Sequence, residues 1–277
     1  MSIKNGAFIH SNKNVNLGNF ISRYIGLDKD ICIRIYNTSK NDYEFLYNIY
    51  KQIKKNKFVS IHDENYLHKK AERQMNEITN FLEDTPIDKI SKNDKINIAD
   101  IGCGNGLLLQ KFISYYKFNC NCVCIETQNY LDKSVVNLID FSITDGKKIN
   151  LENNFANITI CHLSLHHFRT IDNMMNEIFR IVKPNAYLLI YEHDCITTKN
   201  IYLLDLYHII NELLLKTNIT KYRDNYKKFI TDYYSNFTSK KLLINRLSTN
   251  FNLIKSKNIN MGFINNYYAL FQKKNIT

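Results

Sequence analysis

The sequence predicts an α/β fold with a doubly wound, mostly parallel sheet, preceded by a helical N-terminal extension. One observation is a buried strand at residues 96–101 that ends in a glycine turn and continues directly as a helix. Beyond it, short apolar strands alternate with amphipathic helical segments as far as Glu192, which is the pattern of parallel βαβ units. Two further predicted strands, joined at Gly262 and Asn265, follow near the end of the chain.

The glycine turn runs from Gly102 through Gly104 to Gly106. Glycine lacks a Cβ, so the backbone can turn tightly and a ligand can lie against it. The following helix offers backbone N–H groups at the carboxyl end of the strand, which suits a nucleotide-like ligand. A dinucleotide fingerprint requires a third glycine where Leu107 stands, and no Gly-Lys-Ser/Thr follows to make a P-loop. A glycine-rich turn of another nucleotide-binding protein is the alternative at this point.

Acidic residues follow the next two predicted strands. The strand at 120–125 ends at Glu126, which lies 24 residues beyond Gly102. An acid at about this distance, placed at a strand end, can accept hydrogen bonds from both ribose hydroxyls. A third strand at 137–143 leads to Asp145.

The second half of the sheet carries histidines. A fourth strand at 157–164 precedes the segment Leu165-His166-His167-Phe168, and an amphipathic helix then leads to Pro184. The fifth strand, 186–192, ends in Glu192-His193-Asp194. These polar side chains are expected at the carboxyl end of the sheet, where α/β proteins bind their ligands.

The segment Asp100-Ile-Gly-Cys-Gly-Asn-Gly106 resembles the cofactor loop of class I S-adenosylmethionine (SAM)-dependent methyltransferases. The succession L-H-H-F, E-I-x-R-x-V-K-P and a further strand resembles one subgroup of them, over about residues 96–194. The resemblance implies a Rossmann-like, seven-stranded sheet with an antiparallel last strand, and SAM as the cofactor. The sequence departs from the family pattern at two places. Pro184-Asn185-Ala186 stands where the family usually has Pro-Gly-Gly, and Asn157 stands where an acidic residue commonly opens the fourth strand.

The resemblance also implies the site residues. Glu126 would bind the ribose, Asp145 the adenine amino group, and the backbone of Leu163 the methionine end. The full set of expected cofactor-binding residues is Asp100, Gly102, Cys103, Gly104, Gly106, Glu126, Asp145 and Leu163. The candidate catalytic residues are His193, His167 and Asp194, with His193 preferred as the polar residue that faces the acceptor.

Around this region, residues 1–95 are predicted as a mainly helical extension or lid. Residues 96–277 are predicted as the methyltransferase domain, with a basic insertion at 195–238. The expected peripheral elements are a strand at 32–36, helices at 42–54 (capped near Ser39), 65–83, 200–216 and 239–250 (capped by Thr238 or Ser239), and strands at 251–261 and 266–273.

The 277-residue chain is 44% hydrophobic, has no apolar stretch near the ~20 residues of a transmembrane helix, and begins without a signal-peptide core. These features favour a cytoplasmic protein, and they fit a viral protein in the cytoplasm of its host equally. Seven cysteines without a C-x-x-C pair favour reduced, buried thiols, and no metal site is expected.

Most of the net charge of +11 lies near the C-terminus. Residues 195–277 hold thirteen Lys/Arg against four Asp/Glu, and Lys227, Lys228, Lys240 and Lys241 lie among tyrosines there. Such a surface can bind RNA phosphates and stack on bases, although a solvated lysine-rich surface fits equally.

The sequence therefore predicts methyl transfer from SAM to an acceptor that is expected to be a small molecule. An RNA (cap) methyltransferase, including a viral one, is the first alternative. A non-catalytic SAM-binding or partner-binding protein is the second.

Overall fold

The computed structural model describes residues 27–40, 42–55, 64–215, 235–260 and 265–275. The helices within these ranges are α1 (Lys29–Thr38), α2 (Asp42–Lys55), α3 (Glu64–Leu82), α4 (Leu107–Tyr116), α5 (Ile171–Ile181), α6 (Thr198–Leu215) and α7 (Lys240–Leu247). The strands are β1 (Ile96–Ile101), β2 (Cys120–Glu126), β3 (Asp140–Ile143), β4 (Ala156–His162), β5 (Val182–His193), β6 (Phe251–Asn260) and β7 (Asn265–Lys273). None of these helices is long and apolar enough to cross a membrane.

The strands form one seven-stranded sheet in the order β3-β2-β1-β4-β5-β7-β6. β1 to β5 pair in parallel, while β7 is antiparallel to both β5 and β6. The predicted fold class is thereby confirmed. The chain order reverses between β1 and β4, so the crevice at their carboxyl ends is the expected ligand site of a doubly wound sheet.

Apolar side chains cover both faces of the sheet. On one face, Met75 and Phe81 of α3 and Phe112 of α4 pack against strand residues such as Ile98. On the other, α5 and α7 bury a second cluster that includes Ile178 and Leu243. Because parallel strands are covered on both faces, β1 is buried almost throughout its length, including the polar residue Asp100.

The chain divides into two compact units, Met1–Asp63 with Thr197–Tyr234, and Glu64–Ile196 with Ser235–Thr277. The second unit holds the whole sheet with α3, α4, α5 and α7, while α1, α2 and α6 belong to the first. The boundary predicted at residue 95, and the role of the N-terminal part as a lid, stay predictions. Lys227 and Lys228 lie outside the described residues.

One prediction for the N-terminal part is wrong. The segment at 32–36 lies in helix α1, because Asp28 accepts hydrogen bonds from the N–H groups of Asp30 and Ile31 and starts a helix there. Ser39 ends α1, with its hydroxyl donating to the Ile35 carbonyl at 2.7 Å. The cap predicted for α2 near Ser39 stays a prediction.

The expectation of reduced thiols is wrong for one pair of cysteines. Cys103 and Cys124 are joined by a disulfide, with their Cα atoms 5.6 Å apart. Cys124 lies opposite Asp100 in the β1–β2 pairing, and the glycine turn then brings Cys103 back over β2. The two cysteines come together only because β1 and β2 pair. A separation of 21 residues in the sequence does not by itself predict the disulfide.

Candidate functional site

The glycine turn is fixed at the carboxyl end of β1. Gly102 donates its N–H to the Ile125 carbonyl at 2.8 Å, and its φ of +73° is in the left-handed region. A Cβ at this position would overlap the Cβ of Ser164, which follows β4. Gly102 is therefore required both by the turn and by the close approach of Ser164.

The neighbouring glycines differ from Gly102 in what surrounds them. Gly104 has φ of +59°, and no described atom lies within 4 Å of the position that a Cβ would take. Gly106, with φ of +76°, precedes α4 and packs against Leu131 and Val135. The loop is thus held firmly at both ends and open at Gly104, where a ligand can lie against the backbone.

Asp100 lies directly before this loop and is 2% exposed. Its Oδ1 atom is buried and has no hydrogen-bond partner within the described residues. Burial, with a smaller contribution from the charge of Glu126, raises the pKa of Asp100 to about 7. The hydroxyl of Ser164 is buried without a partner in the same part of the structure. Polar atoms left unsatisfied beside an open loop are what a polar ligand would pair with.

Glu126 and Asp145 follow the two strands beside β1. Glu126 ends β2, where its carbonyl accepts from the N–H of Thr144 at 2.9 Å and its carboxylate accepts from the N–H of Thr127. Asp145 is exposed, and hydrogen bonds from the N–H groups of Lys147 and Lys148 lower the pKa of its carboxyl. Both carboxylates therefore lie at the same edge of the sheet as the glycine loop.

Leu163 has an unusual backbone. It follows β4 with φ of +53°, a conformation that is uncommon for a residue with a branched side chain, and its N–H donates to the Tyr191 carbonyl at 2.7 Å. Strained backbone of this kind concentrates at functional sites. The segment also brings Ser164 against Gly102, which joins the end of β4 to the glycine loop.

Beside this region, His166 and Glu192 form a buried pair. The Nδ1 atom of His166 lies 2.6 Å from Glu192 Oε1, and the His166 backbone N–H donates to Glu192 Oε2 at 3.3 Å. Burial raises the pKa of Glu192, and burial, with the nearby His167 and His193, lowers the pKa of His166 well below its usual value. The imidazole is therefore neutral at pH 7. Sequence reasoning missed this pairing, because its partners are 26 residues apart.

His193 is held by a chain of hydrogen bonds that fixes its tautomer. The Nδ2 group of Asn266 donates to the Tyr191 hydroxyl at 2.7 Å, so its Oδ1 atom faces His193 Nδ1, also at 2.7 Å. An amide oxygen can only accept, so Nδ1 carries the proton and Nε2 carries the lone pair. Burial lowers the pKa of His193, although Glu192 and Asn266 oppose the shift.

These side chains line a narrow recess. Its lining residues are Leu165, His166, Ile171, Glu192, His193, Asn236, Phe237, Thr238 and Leu243. The Thr238 hydroxyl oxygen is buried there without a partner within the described residues. The recess lies beyond the ends of β4 and β5, one strand along from the glycine loop.

The other two candidate catalytic residues differ from His193 in their surroundings. His167 is exposed, with its ring centroid 4.1 Å from that of His166. Asp194 accepts a hydrogen bond from the backbone N–H of Lys240 at 2.8 Å, and so fixes the start of α7. Their roles, like those expected of Cys103 and the other cofactor-binding residues, stay predictions.

A sequence model of a methyltransferase-domain family matches residues 99–190. A comparison with curated proteins finds no match. The matched segment contains the glycine loop, both acidic strand ends, the His166 segment and most of β5. Residues 99–190 are thus similar to methyltransferase domains, and S-adenosylmethionine is the cofactor that this similarity implies. The finer subgroup predicted from the L-H-H-F segment stays a prediction.

Solved structures share the fold. A Galdieria sulphuraria protein provisionally named a sarcosine dimethylglycine methyltransferase is 12% identical, with a TM-score of 0.51, over 73% of this chain and 86% of that one. The MccD protein is 13% identical, with a TM-score of 0.50, over 73% and 97% of the two chains. A SAM-dependent methyltransferase from Methanosarcina mazei is 17% identical, with a TM-score of 0.47, over 71% and 96%. At these identities the likeness shows the fold alone.

The described residues fit this cofactor. The open position at Gly104 leaves room for a ligand, and the buried oxygens of Asp100 and Ser164 can pair with the ammonium group of its methionine part. Glu126 and Asp145 offer acceptors for ribose hydroxyls and for an adenine amino group. These acceptors match the hydrogen-bond donors of an adenosyl ligand with a charged amino acid tail.

Proposed function

We propose that this methyltransferase acts on a small-molecule acceptor, which binds in the recess lined by His166, Glu192 and His193. The observation that carries the proposal is the position of this recess, beyond the ends of β4 and β5 and next to the glycine loop. The recess is too narrow for a large polymer to enter, which favours a small acceptor.

Binding of the cofactor is expected to depend on the loop and the two acidic strand ends. The backbone around Gly104 receives the ligand, Glu126 accepts from the ribose hydroxyls, and Asp145 accepts from the adenine amino group. When bound, the cofactor supplies an electrophilic methyl group on a sulfonium sulfur. The protein's part is then to align an acceptor with that group and to exclude water, and such positioning can supply much of the acceleration.

The walls of the recess favour an acceptor that has both an apolar and a polar part. Leu165, Phe237 and Leu243 offer apolar surface, while two imidazoles and the Thr238 hydroxyl offer hydrogen bonds. A buried, preorganised set of this kind orients a polar group strongly, because water does not compete with it.

The test is methyl transfer from radiolabelled SAM to three separate pools: metabolites, protein and capped RNA. We expect label in the metabolite pool, and a large loss of label with Glu126→Ala, which removes the expected ribose acceptor. Label in capped RNA instead would overturn the small-molecule acceptor and favour the RNA alternative. That outcome should be sensitive to salt and to neutralising Lys240 and Lys241.

A further inference from the structure

Three side chains with metal-ligand chemistry meet at the floor of the recess. His166, Glu192 and His193 are 2%, 2% and 4% exposed, and one ligand atom from each lies within 4.8 Å of the other two. Glu192 and His193 end β5, whereas His166 comes from the turn after β4. Parallel pairing of the two strands brings them together.

The buried carboxyl of Glu192 lacks a cationic side chain beside it. It accepts hydrogen bonds from the backbone N–H groups of His166 and His193, and its Oε1 atom lies 2.6 Å from the Nδ1 atom of His166. Within the described part of the chain, no Lys or Arg forms an ion pair with it. A buried carboxylate is costly unless a positive charge or a metal compensates it.

The two imidazoles carry lone pairs suited to coordination. Asn266 holds the Nδ1–H group of His193, which leaves the lone pair on Nε2. Metal-binding histidines are oriented in the same way, by an acceptor on the second ring nitrogen.

The buried Thr238 hydroxyl and the ring of Phe237 line the recess beside the three side chains. Two imidazoles and one carboxylate, with an open position, form the donor set of catalytic zinc sites and of non-haem iron sites. Bonds of about 2.1 Å require the ligand atoms to lie within about 4.2 Å of each other, so binding would draw them slightly inward.

We propose that His166, Glu192 and His193 bind a divalent transition-metal ion of the Zn²⁺ class, with its open position facing the recess. The ion neutralises Glu192 and lowers the pKa of a hydroxyl or thiol that coordinates to it. That acceptor loses its proton to solvent, its lone pair forms the new bond to the methyl carbon, and the bond from that carbon to the sulfonium sulfur breaks. The inference that a metal ion binds here does not depend on the proposed function. Its role in activating the acceptor does rest on the proposed function.

A ligand role excludes a proton-accepting role for the candidate catalytic residue His193, since both use the Nε2 lone pair. The expectation of no metal site rested on the cysteines, and no sequence pattern brings His166 and Glu192 together. A metal titration therefore separates the two roles.

The experiment uses the full chain, stripped with a chelator and titrated with Co²⁺, whose visible absorption reports its coordination. Metal content after growth with Zn²⁺ is measured in parallel. We expect about one metal ion per chain, a Co²⁺ spectrum typical of four or five ligands, and a higher melting temperature with Zn²⁺. His193→Gln and Glu192→Gln should each weaken Co²⁺ binding by at least ~10-fold. The control His68→Gln changes a histidine on α3 outside the recess and should bind Co²⁺ like the wild type.

Two results would overturn the proposal: wild-type protein that neither retains Zn²⁺ nor gains thermal stability from it, or Co²⁺ binding that is the same in all four proteins. The wild-type melting experiment decides the question even if both recess variants fail to fold. Calorimetry with S-adenosylhomocysteine on metal-free protein tests the cofactor site separately, so failure of the metal site and failure of the proposed function are distinguishable.

Discussion

Gly102 packs so closely against Ser164 that a Cβ at residue 102 would overlap the Cβ of Ser164. This contact joins the end of β1 to the segment after β4, across the switch point of the sheet. Gly104, two residues later, has a similar left-handed φ but open space beside it. The two glycines therefore separate the folding role of the loop from its binding role.

Gly102→Ala and Gly104→Ala should differ in kind. Gly102→Ala combines overpacking with a left-handed alanine and should lower the free energy of unfolding by about 3 kcal/mol. Gly104→Ala should cost about 1 kcal/mol, from its φ alone, yet weaken cofactor binding, because its methyl group enters the open space. Urea denaturation and calorimetry with S-adenosylhomocysteine measure the two effects. Equal losses of stability in both variants would contradict the account.

Asp100 should make stability depend on pH. Its pKa is about 7 in the folded protein, against an ordinary value of 3.8, so the folded state holds the proton more tightly. Its stabilising contribution is complete below pH 4 and is lost as pH rises through 7. The difference in unfolding free energy between pH 5 and pH 8 should therefore be smaller in Asp100→Asn than in the wild type. If Asp100→Asn showed the same pH 5 to pH 8 difference as the wild type, Asp100 would not be the group whose pKa is raised on folding.

The disulfide between Cys103 and Cys124 predicts the thiol count of the protein. Denatured protein that was never exposed to reductant should react with five equivalents of a thiol reagent, and reduced protein with seven. Reduction should also lower the free energy of unfolding by about 3 kcal/mol, because it releases a loop of 21 residues. Seven thiols in the unreduced protein would show that the pair is not oxidised.

The tautomer of His193 can be read by nitrogen NMR. The wild type should show a proton on Nδ1 and a bare Nε2 at neutral pH, because Asn266 Oδ1 accepts from Nδ1. Asn266→Asp keeps an acceptor and should preserve this state, whereas Asn266→Leu removes it and should give a mixture of tautomers. A proton on Nε2 in the wild type would refute the assignment.

Much of the fold could be predicted because its signals are local. The glycine turn, the apolar strands and the Ser239 cap of α7 are properties of short segments, and Asn185 adopts the left-handed conformation expected where relatives have glycine. The strand predicted at 32–36 failed because Cys32 and Ile35, three residues apart, share the buried side of the helix that begins after Asp28.

The candidate site was less predictable, because its main contacts join distant segments. The pairing of His166 with Glu192, the disulfide and the Asn266 contact with His193 each depend on strand register, which short-range patterns do not encode. The sequence identified His193 as a candidate but not the groups that fix its ring. Asn266, held by Tyr191, sets which ring nitrogen of His193 carries the proton.

The most direct test of the central claim is calorimetry of the full-length protein with S-adenosylhomocysteine. The account predicts saturable binding at one site per chain, weakened by at least ~10-fold in Gly104→Ala and in Glu126→Ala while both variants remain folded. Folded wild-type protein that gives no binding heat, and no rise in melting temperature with the ligand, would contradict it.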